Sequence, residues 1–475
     1  MRQKELDLTT GNLFIKTFKF VIPLMMTTIF QLLYTTIDLW TVSKYGGGPL
    51  SMSAVGSNGA LINLILTVLV SMSTGANVVI SIAKGENNKE KAERILHTAF
   101  VVALIGGIIF AFLGFFLSPL LLRVMDTPVS IISKATDYLR IYFIGVPFLM
   151  IYNMGSQMLR ALGDSKRPFY ILVISGIINV LFDLLFVIVF KMDVKGVALA
   201  TILSEAISGV LVLLYFKTNK DGFVRLSFKK LGIHKKEFND ILRVGLPAGL
   251  QGLAFSIPNV LIQSSLYTIT NYSINGNLIS VEEIVSGASA SSQIEGYVFA
   301  MIDAFAVGIV SLAGQNFGAR KKENIKKTYW YSVIWMLVFW LFSASLCILM
   351  PYTFLKIFIK DSNDIVVDNA LLAGRERLYI MSLTYFLDGW MDINGCFLRG
   401  VKRSTPPAIL TLIGCSGTRI LFLTTIFKLD FFHTIFWLYA AFPISWILVN
   451  IVYIFLVPHL LRKDFKKWDK EMKLA

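Results

Sequence analysis

Apolar residues run in blocks of twenty or more along almost the whole chain, broken by short polar segments. A helix needs about 20 mostly apolar residues to cross a bilayer core, so each block reads as a membrane span. Twelve spans are predicted, at 14–40, 54–83, 95–121, 131–158, 168–190, 196–216, 240–268, 285–316, 327–350, 369–397, 405–427 and 433–457. They use up nearly all of the sequence, leaving no convincing strands and no soluble catalytic domain. The expected fold is therefore an all-α polytopic membrane protein. The longest connection, the basic stretch 217–239, reads as a cytoplasmic linker. It separates an N-terminal six-helix lobe (1–216) from a C-terminal six-helix lobe (240–475) that ends in a basic tail. The first span is too long and too interrupted by Lys16 and Lys19 to be a cleavable signal peptide.

The two lobes repeat one another. GENNKEKAER (85–94) after span 2 answers GARKKENIKK (318–327) after span 8, and LRALGDSKRP (159–168) answers LRGVKRSTPP (398–407). Pro23 in span 1 answers Pro247 in span 7. Six spans per lobe is an even number, so both lobes insert in the same orientation, related by a pseudo-two-fold axis along the membrane normal. Transporters of that build place their substrate between the halves near the bilayer midplane.

Composition agrees: 55% of residues are hydrophobic, 16% are charged, and the mean hydropathy is +0.67. The formal charge of +15 would invite a nucleic-acid reading were the basic residues spread evenly. Alternating sides along twelve spans instead gives the segments on the N-terminal side roughly three times the Lys and Arg of the others, which is the positive-inside pattern. Both termini are thus expected in the cytoplasm of a multi-pass plasma-membrane (bacterial inner-membrane) protein with no nucleic-acid partner. The segment 270–283 contains no Lys or Arg, as an outside loop should, and the tail 462–473 is expected against anionic headgroups. Cys347, Cys396 and Cys415 lie within spans without metal-ligand spacing.

Against this apolar background a few charges stand out. Asp38, Asp183, Glu205, Glu295, Asp388 and Arg419 all fall inside spans. Each costs about 2.5–3.5 kcal/mol on insertion scales, so a chain that keeps them is expected to use them for ions, protons or solutes, or to tie helices together. No Gly-Lys dipeptide exists for a P-loop, and none of the four histidines begins an HExxH. An enzyme is not expected, nor any cofactor. Any driving energy would come from an ion gradient, with H⁺ or Na⁺ as the coupling ion. Asn179 and Asp183 are four residues apart and share one face of span 5. Asp38 near the end of span 1 and Thr201 in span 6 fall at comparable depth. Two carboxylates, an amide and a hydroxyl at one level offer oxygen ligands to a small cation; alternatively the two acids share a proton, since close like charges raise one carboxyl's pKa. Hydrogen bonding between helices would be the plain structural role of Asn179 and Thr201.

The same residues resemble the multidrug and toxic compound extrusion (MATE) transporters, particularly the DinF-like branch. AGQNFGA (313–319) at the end of span 8 is similar to the family's hallmark there. IDLWTVSKYGG (37–47), LRALGDSKRP, NVLFD (179–183) and GVALATILSE (196–205) resemble its spans 1 and 4 to 6. The resemblance implies a cation site at Asp38, Asn179, Asp183 and Thr201, with no metal beyond a possible Na⁺ there, and a bend in span 1 at Pro23. Proline removes a helix hydrogen bond, so Pro23 is either a hinge or a fixed kink. In the second lobe, Asp388 matches an acid of the NorM-like branch, but that branch's span-7 acid falls on Phe255, leaving its site incomplete. Glu295, Asp388 and Arg419 are expected to form a polar network, with Arg419 within salt-bridge reach of Asp388 or Glu295, or else facing substrate.

Candidate cavity residues are Gln31, Tyr34, Tyr152, Asn153, Gln157, Glu205 and Gln263, with Met25 and Met26 able to give an adaptable wall. Span 2 is unusually polar, with Asn58, Asn63, Ser71, Ser73, Thr74 and Asn77. The function implied is antiport of amphipathic, often cationic organic compounds out of the cell by a monomer in the lipid bilayer. The alternative is a flippase or exporter of a lipid-linked or polar metabolite on a related fold.

Overall fold

The computed structural model describes residues 5–474 other than 270, 271, 275, 276 and 360–364. The helices, in chain order, are α1 (Leu13–Tyr45), α2 (Pro49–Gly85), α3 (Lys89–Val124), α4 (Val129–Ala161), α5 (Lys166–Leu184), α6 (Asp193–Thr218), α7 (Lys235–Leu266), α8 (Val281–Gly318), α9 (Lys322–Leu349), α10 (Pro351–Phe358), α11 (Ile365–Gly400), α12 (Thr405–Leu410), α13 (Thr418–Thr424) and α14 (Ile435–Leu474). All twelve sequence-predicted spans fall on helix, with α12 and α13 together forming the eleventh. The all-α polytopic fold stands. Two features were not expected. The short α10 follows α9, and an antiparallel hairpin, β1 (Tyr272–Ile274) with β2 (Asn277–Ile279), joins α7 to α8 in register Tyr272↔Ile279. The reading that the chain has no strands is corrected by that hairpin. The intervening Asn275-Gly276 lies outside the described residues, but this pair is the strongest short hairpin signal in a sequence.

Among the described residues, ten helical segments are long and apolar enough to cross a membrane. The two other span-length helices, α4 and α11, fall short because they carry polar and charged residues, among them Lys134, Asp137, Arg140, Asn153 and Gln157 on α4 and Arg375, Arg377, Asp388 and Asp392 on α11. These two are also the central packing elements of their units: α4 packs on α2, α3 and α6, and α11 on α9 and α14. A helix wrapped in protein can keep polar side chains that lipid would reject. By contrast α3 turns Leu104, Ile105, Ile108, Phe112, Phe116 and Leu120 outward, an exposed apolar stripe at helical spacing.

The chain divides into two compact units, and the division falls inside α7 and α8. The first comprises residues up to Gly249 together with Val310–Lys321; the second comprises Leu250–Ile309 and the chain from Lys322. The 217–239 segment belongs to the first unit. There Ser227 N donates to His97 Nε2 (3.0 Å), His234 N to Thr98 Oγ1 (3.1 Å), and Arg94 pairs with Glu237 (2.9 Å).

The end of α8 closes the first unit. Gln315 Nε2 donates to the Ala161 carbonyl at 2.7 Å, and Ser311 donates to Asn77 Oδ1 at 3.0 Å. Asn77 in turn donates to Gln157 Oε1 at 2.9 Å. The segment before α1 is pinned to the same place: Leu8 N donates to Gln315 Oε1 (3.3 Å) and Asn316 Nδ2 donates to Leu8 O (2.9 Å). Small residues permit the approach of α2 to α8, since a Cβ on Gly85 would stand 2.0 Å from Gln315 O and one on Gly318 would stand 2.1 Å from Ile82 O. In the second unit a Cβ on Gly287 would meet Ala370 O at 2.2 Å, so α8 and α11 cross by the same device.

These crossings make a stability prediction. Gly85→Val or Gly318→Val should destabilise the protein by about 1–3 kcal/mol or more, because backbone rather than a flexible side chain must yield. Gly249→Ala, whose Cβ would meet Ser71 Cβ at an ordinary 3.5 Å, should leave the unfolding midpoint in detergent unchanged or slightly raised. Equal midpoints for all three variants would contradict the tight crossing.

Candidate functional site

Two sites arise, one in each unit. In the first, α5 carries Asn179 and Asp183 one turn apart, and the helix then loosens into a π segment at Leu185–Val189. Such bulges frequently mark functional positions in helices. Asp183 is fully buried, and Asn179 and Asp38 are buried beside it in the same unit. The Asp38 and Asp183 carboxyls adjoin one another. Asp38 Oδ1, both Asp183 oxygens, and both polar atoms of Asn179 have no hydrogen-bond partner among the described residues. Burying polar atoms without partners is expensive, so this cluster is a place built to receive something. Thr201, the fourth residue of the sequence-derived set, is half-buried and donates to the Val197 carbonyl of its own helix at 2.9 Å.

Next to this cluster is a small cavity of about 50 Å³ lined by Gln31, Tyr34, Tyr152, Asn153, Asn179, Ser204 and Glu205. It has room for a few waters or a small ion, not for a drug-sized molecule. Glu205 Oε2 is a further buried oxygen without a partner. Tyr152 donates to the Pro168 carbonyl at 3.3 Å and Asn153 to the Leu149 carbonyl at 3.0 Å. Gln157 does not line this cavity; it is bonded to Asn77. Pro23 sits inside α1, which runs through it without interruption, and Thr27 donates back to the Pro23 carbonyl at 2.7 Å.

Gln263 lines a different and larger cavity, about 480 Å³, wholly within the second unit. Here Arg377 of α11 forms a bidentate pair with Glu295 of α8, Nε and Nη2 each donating at 2.8 Å. Tyr385 donates to Glu295 Oε2 at 3.4 Å, and the Arg377 guanidinium lies 5.0 Å from the Tyr439 ring centre. The expectation that Arg419 pairs with Glu295 or Asp388 is therefore corrected. Glu295 is taken by Arg377, and among the described residues no carboxylate lies within ion-pair distance of Arg419. Arg419 instead donates through Nε to Ser445 Oγ (2.9 Å) and through Nη1 to Asn259 Oδ1 (3.5 Å). Its guanidinium also lies over Phe442 (4.4 Å), Trp446 (5.7 Å) and Phe255 (6.0 Å). Aromatic faces stabilise a desolvated cation in place of a counter-ion. Phe255, the residue at the position of the missing span-7 acid, is one of those faces. Arg377 escaped sequence reasoning because it lies near the start of its span, where a charge reads as a span end; the run Arg375-Glu376-Arg377 inside a span was the available signal.

This arrangement, twelve long helices with buried acids and cavities between them, defines a class of membrane transporter. The MatE family model matches residues 23–185 and 256–425, and the chain belongs to that family. It is 32% identical over 324 residues to the probable multidrug resistance protein YpnP of Bacillus subtilis strain 168, covering 68% of this chain and 69% of that protein. It is 26% identical over 411 residues to the probable multidrug resistance protein NorM of Thermotoga maritima, covering 85% of this chain and 83% of that protein. The fold is similar to the crystal structure of MATE in complex with MaL6, with a TM-score of 0.87 at 20% identity over 98% of this chain and 100% of the other.

The Arg377–Glu295 pair is nearly dry, so removing one partner strands a charge. Arg377→Met alone should cost about 3–5 kcal/mol, whereas Arg377→Met with Glu295→Leu should regain most of the loss. Thermal unfolding of the purified variants measures both, and equal loss in the single and double variants would rule out pairing as the source of stability.

Proposed function

We propose that this protein is a secondary active antiporter that exports amphipathic, often cationic organic compounds against an inward H⁺ or Na⁺ gradient. It would work in the bacterial inner membrane with both termini in the cytoplasm. The observation that carries the coupling is the adjoining, partnerless Asp38–Asp183 pair beside Asn179. Two adjoining buried carboxyls cannot both ionise cheaply, so a proton shared between them is one occupant the cluster would favour. A small cation held by the same oxygens would do the same electrostatic work. Binding of either from the outer side removes net negative charge from the cluster and favours release of a cationic solute. Loss of the ion to the inside restores the charge and the affinity.

Relatives called multidrug resistance proteins support the substrate class, and the all-helical build with no nucleotide-binding loop supports gradient coupling. The second unit supports the same assignment by contrast. With Phe255 where an acid would complete a cation site and Arg419 supplying a fixed positive charge, its polar cluster is poorly suited to a mobile cation.

Asp183→Asn keeps shape and removes the charge. It should reduce gradient-driven efflux from proteoliposomes at least about tenfold while leaving the unfolding midpoint unchanged or higher, since it relieves a buried carboxyl pair. Imposing pH and sodium gradients separately identifies the ion. Normal efflux by Asp183→Asn under both gradients would refute the assignment of coupling to this pair.

A further inference from the structure

The cavity of the second unit has a chemistry that the export reading does not use. Its wall combines one buried cation and one buried anion already joined, Arg377 and Glu295, with Gln263, Ser292, Gln293 and the aromatic faces of Phe299 and Phe442. At about 480 Å³ it lies in the size range of pockets for small organic molecules. Glu295 is 4% exposed, so the pair is a fixed part of the protein rather than a surface bridge.

The pair's internal neutrality decides what it can hold. A guanidinium has five N–H donors; Glu295 takes two and the Tyr439 hydroxyl adjoins the group as well, which still leaves donors to spare on a residue that lines the cavity. Glu295 accepts two bonds from Arg377 and one from Tyr385, short of a carboxylate's roughly four acceptor positions. A solute with only a positive charge would satisfy Glu295 but sit against Arg377. One with only a negative charge would satisfy Arg377 but sit against Glu295. A solute that carries an ammonium and a carboxylate on neighbouring atoms meets both, because its two charges are spaced comparably to those of the pair. The result is a closed ring of four alternating charges, with the aromatic side chains left to cover an apolar ring on the solute.

We infer that this cavity is a binding site for zwitterionic, aromatic-bearing amino-acid-like solutes, with Glu295 taking the ammonium and Arg377 the carboxylate. This inference does not depend on which ion drives transport or on the Asp38–Asp183 pair.

Three probes share an indole ring and differ in charge: tryptophan (zwitterion), tryptamine (cation) and indole-3-propionate (anion). Binding of each radiolabelled probe to the purified full-length protein would be measured by scintillation proximity. Tryptophan should bind at least about tenfold more tightly than either of the others. Glu295→Gln should reverse the order so that indole-3-propionate binds best, because Arg377 is then uncompensated. Since that variant also strands Arg377 and can unfold, Ser292→Phe serves as an independent test. It fills the cavity from an exposed lining position and should abolish binding of all three probes while leaving the unfolding midpoint unchanged. Tighter binding of tryptamine, equal binding of all three probes, no binding of any, or unchanged binding in a folded Ser292→Phe protein would each overturn the inference. So would an unchanged order in a folded Glu295→Gln protein.

Discussion

Every charge kept within a span of this protein needs an answer from the protein itself, because lipid offers none. The structure gives three kinds of answer. Glu295 and Arg377 answer each other through a bidentate bond. Arg419 is met by hydroxyl and amide oxygens and by aromatic faces, with no direct carboxylate bond among the described residues. Asp38 and Asp183 are not answered: two acids adjoin, and Asp38 Oδ1 and both Asp183 oxygens lack a hydrogen-bond partner among the described residues. The first two arrangements balance or shield their charge without an added ion. The third is complete only with a proton or a cation added, which makes it a cluster suited to a cycle of loading and release.

The same constraint shapes the scaffold. The least apolar helices, α4 and α11, occupy the centre of their units, and helices such as α3 that meet the surroundings are apolar along their outer stripe. Polar side chains on the inner helices then act as joints. Asn77, Gln157, Ser311 and Gln315 link α2, α4 and the end of α8 through side-chain bonds, so the AGQNFGA motif works here as a clasp at the edge of the first unit. The glycines beside it let α2 and α8 come close enough for those short side chains to reach.

Much of this was legible in the sequence because the signals are local or periodic. Blocks of twenty apolar residues located every span, and a four-residue spacing put Asn179 and Asp183 on one helix face. What escaped is what depends on packing across elements. The Arg377–Glu295 bond joins residues 82 positions apart, and nothing in either segment alone marks them as partners. Arg419 was expected to find an acid because a lone buried guanidinium is costly; the sequence did not reveal that Phe255, Phe442 and Trp446 converge on it. The interruption of two spans by π segments, at Leu185–Val189 and Thr411–Gly417, likewise leaves no periodic trace in residues that are apolar on every side.

The strap formed by residues 5–9 has a consequence for how the molecule is made. Leu8 is held between Gln315 and Asn316, contacts that span 307 and 308 positions of sequence. A chain emerging from the ribosome presents Leu8 a full 307 residues before Gln315, which seats it. The first unit therefore acquires its last piece, Val310–Lys321, only after the helices it packs against have been made. Its leading helices can pack on one another, but the strap stays unseated until α8 has delivered its final turns. The order of synthesis and the order of assembly are thus different for this strap, which is made well before the helix that holds it.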